Sequence, residues 1–288
     1  MKQLLILSGK GGTGKTTIAS AFIRFANAKA YADCDVDAPN LHLVMNQTAT
    51  AKRTDYYGLP KAVINTDLCV QCDLCRKNCR FDAIEVDNKY KVDYYSCEGC
   101  GVCEAICPAG AITLKPDIAG ELMLYTTDSV FSTAQLKMGS GTSGMLVTKV
   151  KNQMKSAGDN IELAIIDGSP GIGCPVIASL SGVDMVLIVA EPSVSGISDM
   201  ERIIKTAEKF QTKIAVCINK YDTNIANSDK IKLYCDKLNL PFVGRIPFDS
   251  DVVKAINNGQ SIIDINCVAG QATKVIFEET LKLLFKKS

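Results

Sequence analysis

The fold is decided by the stretch Gly9-Lys10-Gly11-Gly12-Thr13-Gly14-Lys15-Thr16, which fits the phosphate-binding pattern G-x-x-x-x-G-K-[ST]. Residues 4–7 before it are all apolar, and an apolar period of 3.6 residues over 15–27 predicts a helix after it. In a strand–loop–helix of this kind, backbone N–H groups and the positive helix N-terminus face an anion. We therefore expect Lys15 to reach the β- and γ-phosphates of a nucleotide and the Thr16 hydroxyl to bind Mg²⁺.

Further apolar runs alternate with helical patterns, which predicts a mostly parallel sheet covered by helices on both faces. Strands are expected at 161–166, 185–190, 214–218 and 242–246, whereas residues 121–135 alternate in polarity like an exposed hairpin. The expected fold class is an α/β P-loop NTPase domain, formed by residues 1–59 and 117–288. Residues 60–116 form a small cysteine-rich insertion within it.

Composition limits the classes of function. The 32 Lys and Arg residues nearly balance 31 Asp and Glu residues, so no nucleic-acid partner is expected from bulk charge. No apolar run is long enough to span a membrane, and a membrane partner is therefore not expected. Thirteen cysteines against a single histidine indicate metal binding by thiolates in a reducing, cytoplasmic setting.

Lys10 is a second lysine inside the phosphate loop, and with it the sequence resembles the MinD/ParA family of deviant Walker ATPases, whose loop has the pattern K-G-G-x-G-K-[ST]. The resemblance implies ATP and Mg²⁺ as cofactors, ATP hydrolysis, and a dimer closed by ATP, built from two copies or from a copy and a paralogue. It also implies that Lys10 crosses the dimer interface and neutralises charge on the transferring phosphoryl group. An exposed loop lysine is the alternative.

The same resemblance assigns the remaining nucleotide contacts. Asp167, which opens Asp167-Gly168-Ser169-Pro170-Gly171, is expected to hold Mg²⁺ with Thr16, and Asp35 to orient the attacking water, so that Lys10, Lys15 and Asp35 are the catalytic candidates. Asn219 is expected to contact adenine and Pro247 to lie in the loop over the base. The candidate nucleotide-binding residues are Gly9, Lys10, Gly11, Gly12, Thr13, Gly14, Lys15, Thr16, Thr17, Asn219 and Pro247.

The residues alone do not decide whether the base of the bound nucleotide is adenine or guanine. Residues 219–222 have the sequence N-K-Y-D, which also fits the guanine motif N-K-x-D, so the residues alone do not dismiss GTP. Lys10 and the order of the motifs favour ATP.

The cysteine block contains the pattern C-x₂-C-x₂-C-x₃-C twice, offset by 28 residues, and resembles bacterial two-cluster ferredoxins. The resemblance implies that one [4Fe–4S] cluster binds Cys69, Cys72, Cys75 and Cys107, and that the other binds Cys79, Cys97, Cys100 and Cys103. Zinc is the alternative, but it prefers cysteine pairs separated by a longer loop. Arg80 stands where the ferredoxin pattern carries proline, a departure that affects the turn after Cys79.

Cys174 differs from the remaining cysteines. It lies seven residues after Asp167, the offset at which the related nitrogenase iron protein carries a cluster ligand, so we consider it a possible interface thiol that binds metal or acts in redox across a dimer. The other four are expected to be small buried hydrophobic residues: Cys34, Cys217, Cys235 and Cys267.

Three functions compete. The first is an iron–sulfur ATPase that gates electron transfer to a partner protein, and the second is an assembly or carrier ATPase that delivers clusters or metallocofactors. The third is a MinD/ParA-like positioning switch with structural clusters. The basic end of the chain, residues 279–287, resembles slightly the lipid-binding tail of MinD, although a final core helix explains the same pattern.

Overall fold

The computed structural model describes residues 1–45, 47, 49–158 and 160–286. The chain forms two compact units. The first comprises Met1–Arg53, Met123–Ala134 and Gly144–Ser288, and the second comprises Thr54–Leu122 and Gln135–Ser143.

The elements of the described residues are numbered in chain order. The strands are β1 (Lys2–Leu7), β2 (Ala30–Asp33), β3 (Lys52–Tyr57), β4 (Lys61–Ile64), β5 (Ile84–Asp87), β6 (Lys89–Val92), β7 (Ile112–Lys115), β8 (Ile118–Thr126), β9 (Val130–Leu136), β10 (Leu163–Asp167), β11 (Met185–Ala190), β12 (Lys213–Asn219) and β13 (Phe242–Ile246). The α-helices are α1 (Lys15–Phe25), α2 (Leu41–Val44), α3 (Leu74–Lys77), α4 (Val102–Ala105), α5 (Ser143–Ala157), α6 (Cys174–Leu180), α7 (Val194–Lys209), α8 (Ile225–Lys237), α9 (Ser250–Asn257) and α10 (Val268–Phe285). Two 3₁₀ helices span Tyr221–Thr223 and Ile262–Asp264.

The first unit is built on a parallel sheet with strand order β13-β12-β11-β1-β10-β2-β9. Strand β11 is apolar along its whole length and buried on both faces, and β1, β2 and β10 are mostly apolar and buried. This is the pattern of a sheet covered by helices on each side. Because all seven strands are parallel, their carboxyl ends lie at one edge, and the loops that follow β1, β2, β10, β11 and β12 meet there.

The hairpin predicted over 121–135 is present, because the consecutive strands β8 and β9 are neighbours in the sheet. It is not exposed as predicted, since β9 also pairs with β2 in parallel and all of its residues but Gln135 are buried. The polar residues misled the prediction, because Ser132 is buried and its hydroxyl donates to the carbonyl of Val150 at 2.9 Å. On the other face, Phe131 stacks on Tyr31 with ring centroids 4.9 Å apart.

The last helix, α10, is continuous and packs in the core. Ile276, Phe277 and Leu284 are buried, and the Phe277 ring meets Phe22 of α1 edge to face at 5.1 Å. This arrangement favours the core-helix explanation of residues 279–286, whereas Lys287 lies outside the described residues. No helix in the described ranges is long and apolar enough to cross a membrane.

The second unit repeats itself at the 28-residue offset found in the sequence. Strands β4 and β5 correspond to β6 and β7, and α3 corresponds to α4; β4 pairs with β7 and β5 with β6, both antiparallel. The left-handed backbone positions repeat as well, since Gln71, Asp73 and Asp82 in one half match Gly99, Gly101 and Gly110 in the other. The two halves therefore share one backbone design.

Candidate functional site

The phosphate loop has the backbone that its glycines permit. Gly12 and Gly14 have φ of 78° and 89°, a region that side chains rarely adopt. A Cβ on Gly14 would lie 2.3 Å from Nδ2 of Asn219, so the close approach of β12 also requires glycine there. The loop ends at Lys15, the first residue of α1, and the helix N-terminus therefore points into the loop.

Lys15, Thr16 and Asp167 are joined by hydrogen bonds beneath the loop. The Lys15 ammonium donates to Oδ1 of Asp167 at 2.5 Å, and the Thr16 hydroxyl donates to Oδ2 at 2.6 Å. Lys15 and Asp167 are both buried. Burial alone lowers the pKa of Lys15, but the attraction of Asp167, Asp33 and Asp35 outweighs it, so the pKa is raised and the lysine is charged.

Two buried carboxylates lie side by side at the sheet edge. Asp33 ends β2 and Asp167 ends β10, and the parallel register pairs these two residues directly. Desolvation and the neighbouring Asp167 charge raise the pKa of Asp33 to about 7, although Lys15 and the backbone N–H groups of Leu41 and Asp35 partly offset them. Three N–H donors within 3.0 Å hold the Asp33 carboxylate, which fixes the loop after β2.

A cavity of about 460 Å³ opens above these carboxylates, a size typical of small-molecule sites. Asp35 lines it and is half-buried; burial raises the pKa of its carboxyl, and the Lys15 charge opposes the shift. The other predicted residues on its wall are Lys10, Gly11, Gly12, Thr13, Gly14, Lys15, Thr16, Thr17, Asn219 and Pro247. Gly9 lies against α7, where a Cβ would come within 2.1 Å of the Asp199 Cβ.

Asn219 and Lys220 hold the phosphate loop from the far side. The Asn219 amide donates to the carbonyl of Thr13 at 2.7 Å, and the Lys220 ammonium donates to the carbonyl of Gly12 at 2.9 Å. The loop after β13 contributes Pro247 to the same cavity. The predicted base contacts are thus brought to the predicted phosphate loop.

Lys10 is engaged within its own chain. Its ammonium lies 2.7 Å from Oε2 of Glu191 and donates to the Ser193 hydroxyl at 3.1 Å. Sequence reasoning missed Glu191, although it directly follows the apolar strand β11, a signal similar to the position of Asp167 at the end of β10.

Lys151 is a second residue that the sequence did not single out. It lies on α5 and is buried, and its ammonium donates to the carbonyls of Ala178, Ser179 and Ser181 at 3.1, 2.6 and 2.6 Å. These carbonyls end helix α6, where cations are favoured. Burial lowers the pKa of Lys151 to about 8.

The eight cysteines of the second unit line two separate cavities. One is lined by Cys69, Cys72, Cys75 and Cys107, and the other by Cys79, Cys97, Cys100 and Cys103. Each measures about 20 Å³ on the measure that gives about 460 Å³ for the nucleotide cavity. Each motif therefore contributes three cysteines to one cavity and its fourth cysteine to the other. Apolar residues surround both sets, among them Ala62, Ile112 and Leu114.

No group of three or more His, Cys, Asp or Glu side chains within the described ranges is arranged to hold a single metal ion. All thirteen cysteines are free thiols. In a [4Fe–4S] cluster each of four irons takes one thiolate, so its cysteines surround a cube rather than one ion. The arrangement of thiols around a cavity suits this larger group.

Of the five remaining cysteines, the four that were predicted to be buried are buried, and Cys174 is exposed. Cys34, Cys217, Cys235 and Cys267 are buried. Burial raises the pKa of Cys34 and Cys217 to about 12, which makes these thiols unreactive. Cys174 is exposed at the first turn of α6 and its role at an interface stays a prediction.

Comparison with known proteins places this geometry in a family. The CobQ/CobB/MinD/ParA nucleotide binding domain matches residues 4–262. An uncharacterized protein of Methanocaldococcus jannaschii is 33% identical over 283 residues, 96% of this chain and 95% of that protein.

Solved structures agree on the fold. The septum site-determining protein MinD of Pyrococcus horikoshii OT3, complexed with Mg-ADP, has a TM-score of 0.58 at 17% identity and covers 99% of this chain and 97% of its own. MinD in a MinC:MinD cell division complex of Aquifex aeolicus has a TM-score of 0.55 at 18% identity, covering 98% and 96%. With its parallel sheet and a phosphate loop that carries both Lys10 and Lys15, the chain belongs to the CobQ/CobB/MinD/ParA family of P-loop nucleotide-binding ATPases.

Proposed function

We propose that this protein is a Mg²⁺-dependent ATPase whose nucleotide cycle controls two [4Fe–4S] clusters, and that its function is ATP-gated electron transfer to a partner protein. One observation carries the proposal. The eight cysteines of the second unit divide into two four-cysteine cavities, and each cavity takes its fourth cysteine from the other motif.

The ATPase part rests on the charges at the sheet edge. The buried carboxylate of Asp167 keeps the Lys15 ammonium and the Thr16 hydroxyl at the foot of the phosphate loop. Bound MgATP supplies the triphosphate and the divalent cation to which these groups are matched. Asp35, half-buried on the cavity wall, is in position to accept a proton from water or to orient it.

The dimer is supported by the surroundings of Lys10. Its ion pair with Glu191 lies at the surface, next to the exposed Val194 at the start of α7. Exposed Ile172 and Ile177 follow Asp167 in the chain. Transfer of the Lys10 ammonium from Glu191 to a nucleotide of a second copy, or of a paralogue, would couple dimer closure to hydrolysis.

The clusters fit the second unit by the chemistry of their donors. Thiolates are the ligands that iron–sulfur clusters take, and two cavities with four each satisfy two clusters. When bound, each cluster supplies a one-electron carrier. The zinc alternative is disfavoured because the thiols surround cavities and do not converge on single-ion sites in the described ranges.

A carrier function is the second candidate, and exposed Cys174 favours it. An accessible thiol outside the eight-cysteine set can hand metal to an acceptor, as an assembly or carrier ATPase requires. The complete ligand sets of the second unit favour the electron-transfer function, because clusters with four thiolates each are retained rather than delivered. No observation on the described residues favours a pure positioning switch.

The test is anaerobic purification followed by iron and sulfide analysis and by EPR of the reduced protein with and without ATP. We expect about eight irons per chain, four for each cluster, and a spectrum that changes on ATP addition. The matched control is Lys15→Gln, which is expected to keep its iron and lose the response to ATP.

The outcomes separate the candidates. Iron-free protein overturns the cluster part of the proposal. Full iron with an unchanged spectrum during active hydrolysis assigns the clusters a structural role. Transfer of iron to an apo-protein acceptor during turnover favours the carrier function over electron transfer.

A further inference from the structure

The two cysteine cavities of the second unit are built from equivalent residues of the 28-residue repeat. The first cavity is the one lined by Cys69, Cys72, Cys75 and Cys107, and the second cavity is the one lined by Cys79, Cys97, Cys100 and Cys103. Apolar positions match as well, since Ile64 and Ile112 line the first cavity where Val92 and Ile84 line the second. Any difference between two clusters in such cavities therefore comes from the positions that do not match.

A polar network adjoins the first cavity. Asp73 and Tyr90 line this cavity, and the Tyr90 hydroxyl donates to Oδ1 of Asp73 at 2.9 Å. The Arg76 guanidinium donates to both oxygens of the same carboxylate, at 2.7 Å each. At the positions equivalent to Asp73, Tyr90 and Arg76, the other half of the repeat carries Gly101, Ala62 and Glu104. The repeat thus places this carboxylate beside the first cavity and a glycine at the equivalent position beside the second.

The negative charge of Asp73 is screened less by water than the positive charges paired with it. The Asp73 side chain is 18% exposed, whereas those of Arg76 and Lys77 are 50% and 67% exposed. Exposed charges are weakened by water and salt. A negative charge beside a redox group disfavours the added electron, because the reduced form is the more negative one. The Asp73 carboxylate therefore lowers the reduction potential of a group held in the first cavity.

A positive charge adjoins the second cavity. The Lys61 ammonium donates to the carbonyl of Cys97 at 2.6 Å and lies 5.1 Å from the centre of the Tyr94 ring. These contacts keep the ammonium beside a cysteine of this cavity, where a positive charge favours the reduced form. Glu98 lines the same cavity and acts against Lys61, but it is exposed, so that its charge is screened. The second cavity therefore accepts an electron more readily than the first.

We propose that Asp73 makes the two clusters unequal by lowering the reduction potential of the cluster in the first cavity below that of the cluster in the second. Tyr90 and Arg76 are the positioning residues that hold its carboxylate. The inference rests on the cluster part of the proposed function. One electron from an external donor enters the second cavity first, and a second electron enters the first cavity only at lower potential. No bond to the protein forms or breaks. The electron held in the first cavity has the larger driving force toward a partner.

The test is a potentiometric titration of the anaerobically purified full-length protein, with dithionite as the reductant and EPR to follow each reduction. Asp73→Asn removes the charge, and asparagine tolerates the left-handed backbone at this position, where φ is 64°. Asp73→Gly, the second variant, copies Gly101. The matched control is Asp87→Asn, which removes an exposed carboxylate of the same unit. Iron analysis of every variant distinguishes a lost cluster from a shifted potential.

We expect two midpoint potentials in the wild type. Both Asp73 variants should raise the lower one by roughly 3- to 10-fold in the reduction equilibrium, which is about 30–60 mV because a tenfold change is about 59 mV for one electron. The upper midpoint should stay in place in these variants, whereas Lys61→Gln should lower it. Asp87→Asn should match the wild type.

Three results overturn the inference in protein that carries its iron: a single midpoint in the wild type, a lower midpoint that neither Asp73 variant moves, or an equal shift in Asp87→Asn. Loss of iron from both Asp73 variants but not from the control also overturns it, because Asp73 would then serve cluster binding and not the potential. Iron-free wild-type protein would instead contradict the proposed function.

Discussion

At the scale of single residues, two neighbouring aspartates at the sheet edge are expected to differ in role because they differ in burial. Asp33 is fully buried and anchors backbone N–H groups, whereas Asp35, two residues later, faces the cavity. Asp37 is exposed and does not line the cavity. The pattern D-x-D-x-D therefore contains one structural carboxylate, one catalytic candidate and one surface residue.

Replacement of Asp35 by alanine is expected to slow ATP hydrolysis about 100-fold or more while nucleotide binding persists, because the attacking water loses its orienting group. The measurement is phosphate release at saturating ATP together with the Kd of a fluorescent ATP analogue. Asp37→Ala is the matched control, since it removes an exposed carboxylate from the same loop. Hydrolysis at the wild-type rate by Asp35→Ala would remove Asp35 from the catalytic set.

Asp33 is expected to make the nucleotide-free protein less stable as pH rises. Its folded pKa of about 7 lies above the unfolded value near 4, so between these pH values the folded state holds a proton that the unfolded state has lost. Stability is therefore gained as pH falls through this window, with a slope of up to about 1.4 kcal/mol per pH unit from this group.

Urea unfolding at pH 5, 6, 7 and 8 measures this dependence, and Asp33→Asn should flatten it. A wild-type stability that rises from pH 5 to 7 would contradict the assigned protonation of Asp33. Asp35 contributes in the same direction, because its pKa is also raised.

At the scale of elements, the pair α5 and α6 is fastened at both ends. Gly144, in the first turn of α5, lies so close to α6 that an added Cβ would be 3.1 Å from the carbonyl oxygen of Cys174. At the other end Lys151 holds the last carbonyls of α6. The segment 168–173, which follows Asp167, leads directly into α6, and its endpoint is therefore fixed by α5.

Lys151→Met is expected to destabilise the protein by about 1–3 kcal/mol, because it removes the ammonium donor from three carbonyls at the end of α6, of which that of Ser179 is buried. Lys155→Met on the exposed face of the same helix is the control and should stay within about 0.5 kcal/mol of wild type. Urea unfolding measures both. Equal stabilities of the two variants would show that the buried ammonium adds nothing to the fold.

An element could be predicted from the sequence where its hydrophobic pattern reveals its burial. Strands β11 and β13 match the expected residues at both ends. For β11 the reason is an uninterrupted apolar run, which marks a strand buried on both faces. Strand β9 was assigned the wrong environment because its buried positions carry Ser132 and Thr133, whose polarity is compatible with burial in the sheet. Lys151 was missed for a related reason, since nothing in a single sequence distinguishes a lysine that caps a buried helix from one in water.

The candidate site was more predictable than the rest of the chain, because its residues follow strands whose carboxyl ends must meet. Asp33, Asp167 and Asn219 each occupy the last position of a parallel strand. What the sequence did not contain was the partner of each group, such as Glu191 for Lys10 or Phe248 for Asp222. Such pairs depend on loop conformation, which residue spacing does not determine.

At the scale of the whole molecule, two of the points at which the chain passes between the units are near nucleotide-site residues in the sequence or in the contacts of the first unit. The chain leaves the first unit at Arg53, shortly after the loop that carries Asp35, and enters it for the last time at Gly144, at the start of α5. Helix α5 holds α6, which begins seven residues after Asp167. The loop of Asp35 is therefore connected to the cysteine-bearing unit along the chain, and the loop of Asp167 is connected to it through the contact of α6 with α5.

The division of the cysteines between the two cavities yields a further prediction about the whole second unit. If each cavity holds one cluster, removal of two ligands from one cavity leads to the loss of that cluster only. Removal of one ligand from each cavity leads to the loss of both clusters. Cys69 shares a cavity with Cys107 although the two belong to different motifs, and Cys79 belongs to the motif of Cys69 but lines the other cavity.

We therefore expect the double variant Cys69→Ser/Cys107→Ser to keep about half of the wild-type iron, and Cys69→Ser/Cys79→Ser to lose nearly all of it. Iron analysis and EPR of anaerobically purified protein measure the difference, and thermal unfolding checks that each variant is folded. The opposite ranking would mean that each motif binds its own cluster. Because both variants remove two thiols from the same small unit, the number of cysteines lost cannot explain a difference between them. That difference would report how the two halves of the unit exchange their fourth ligands.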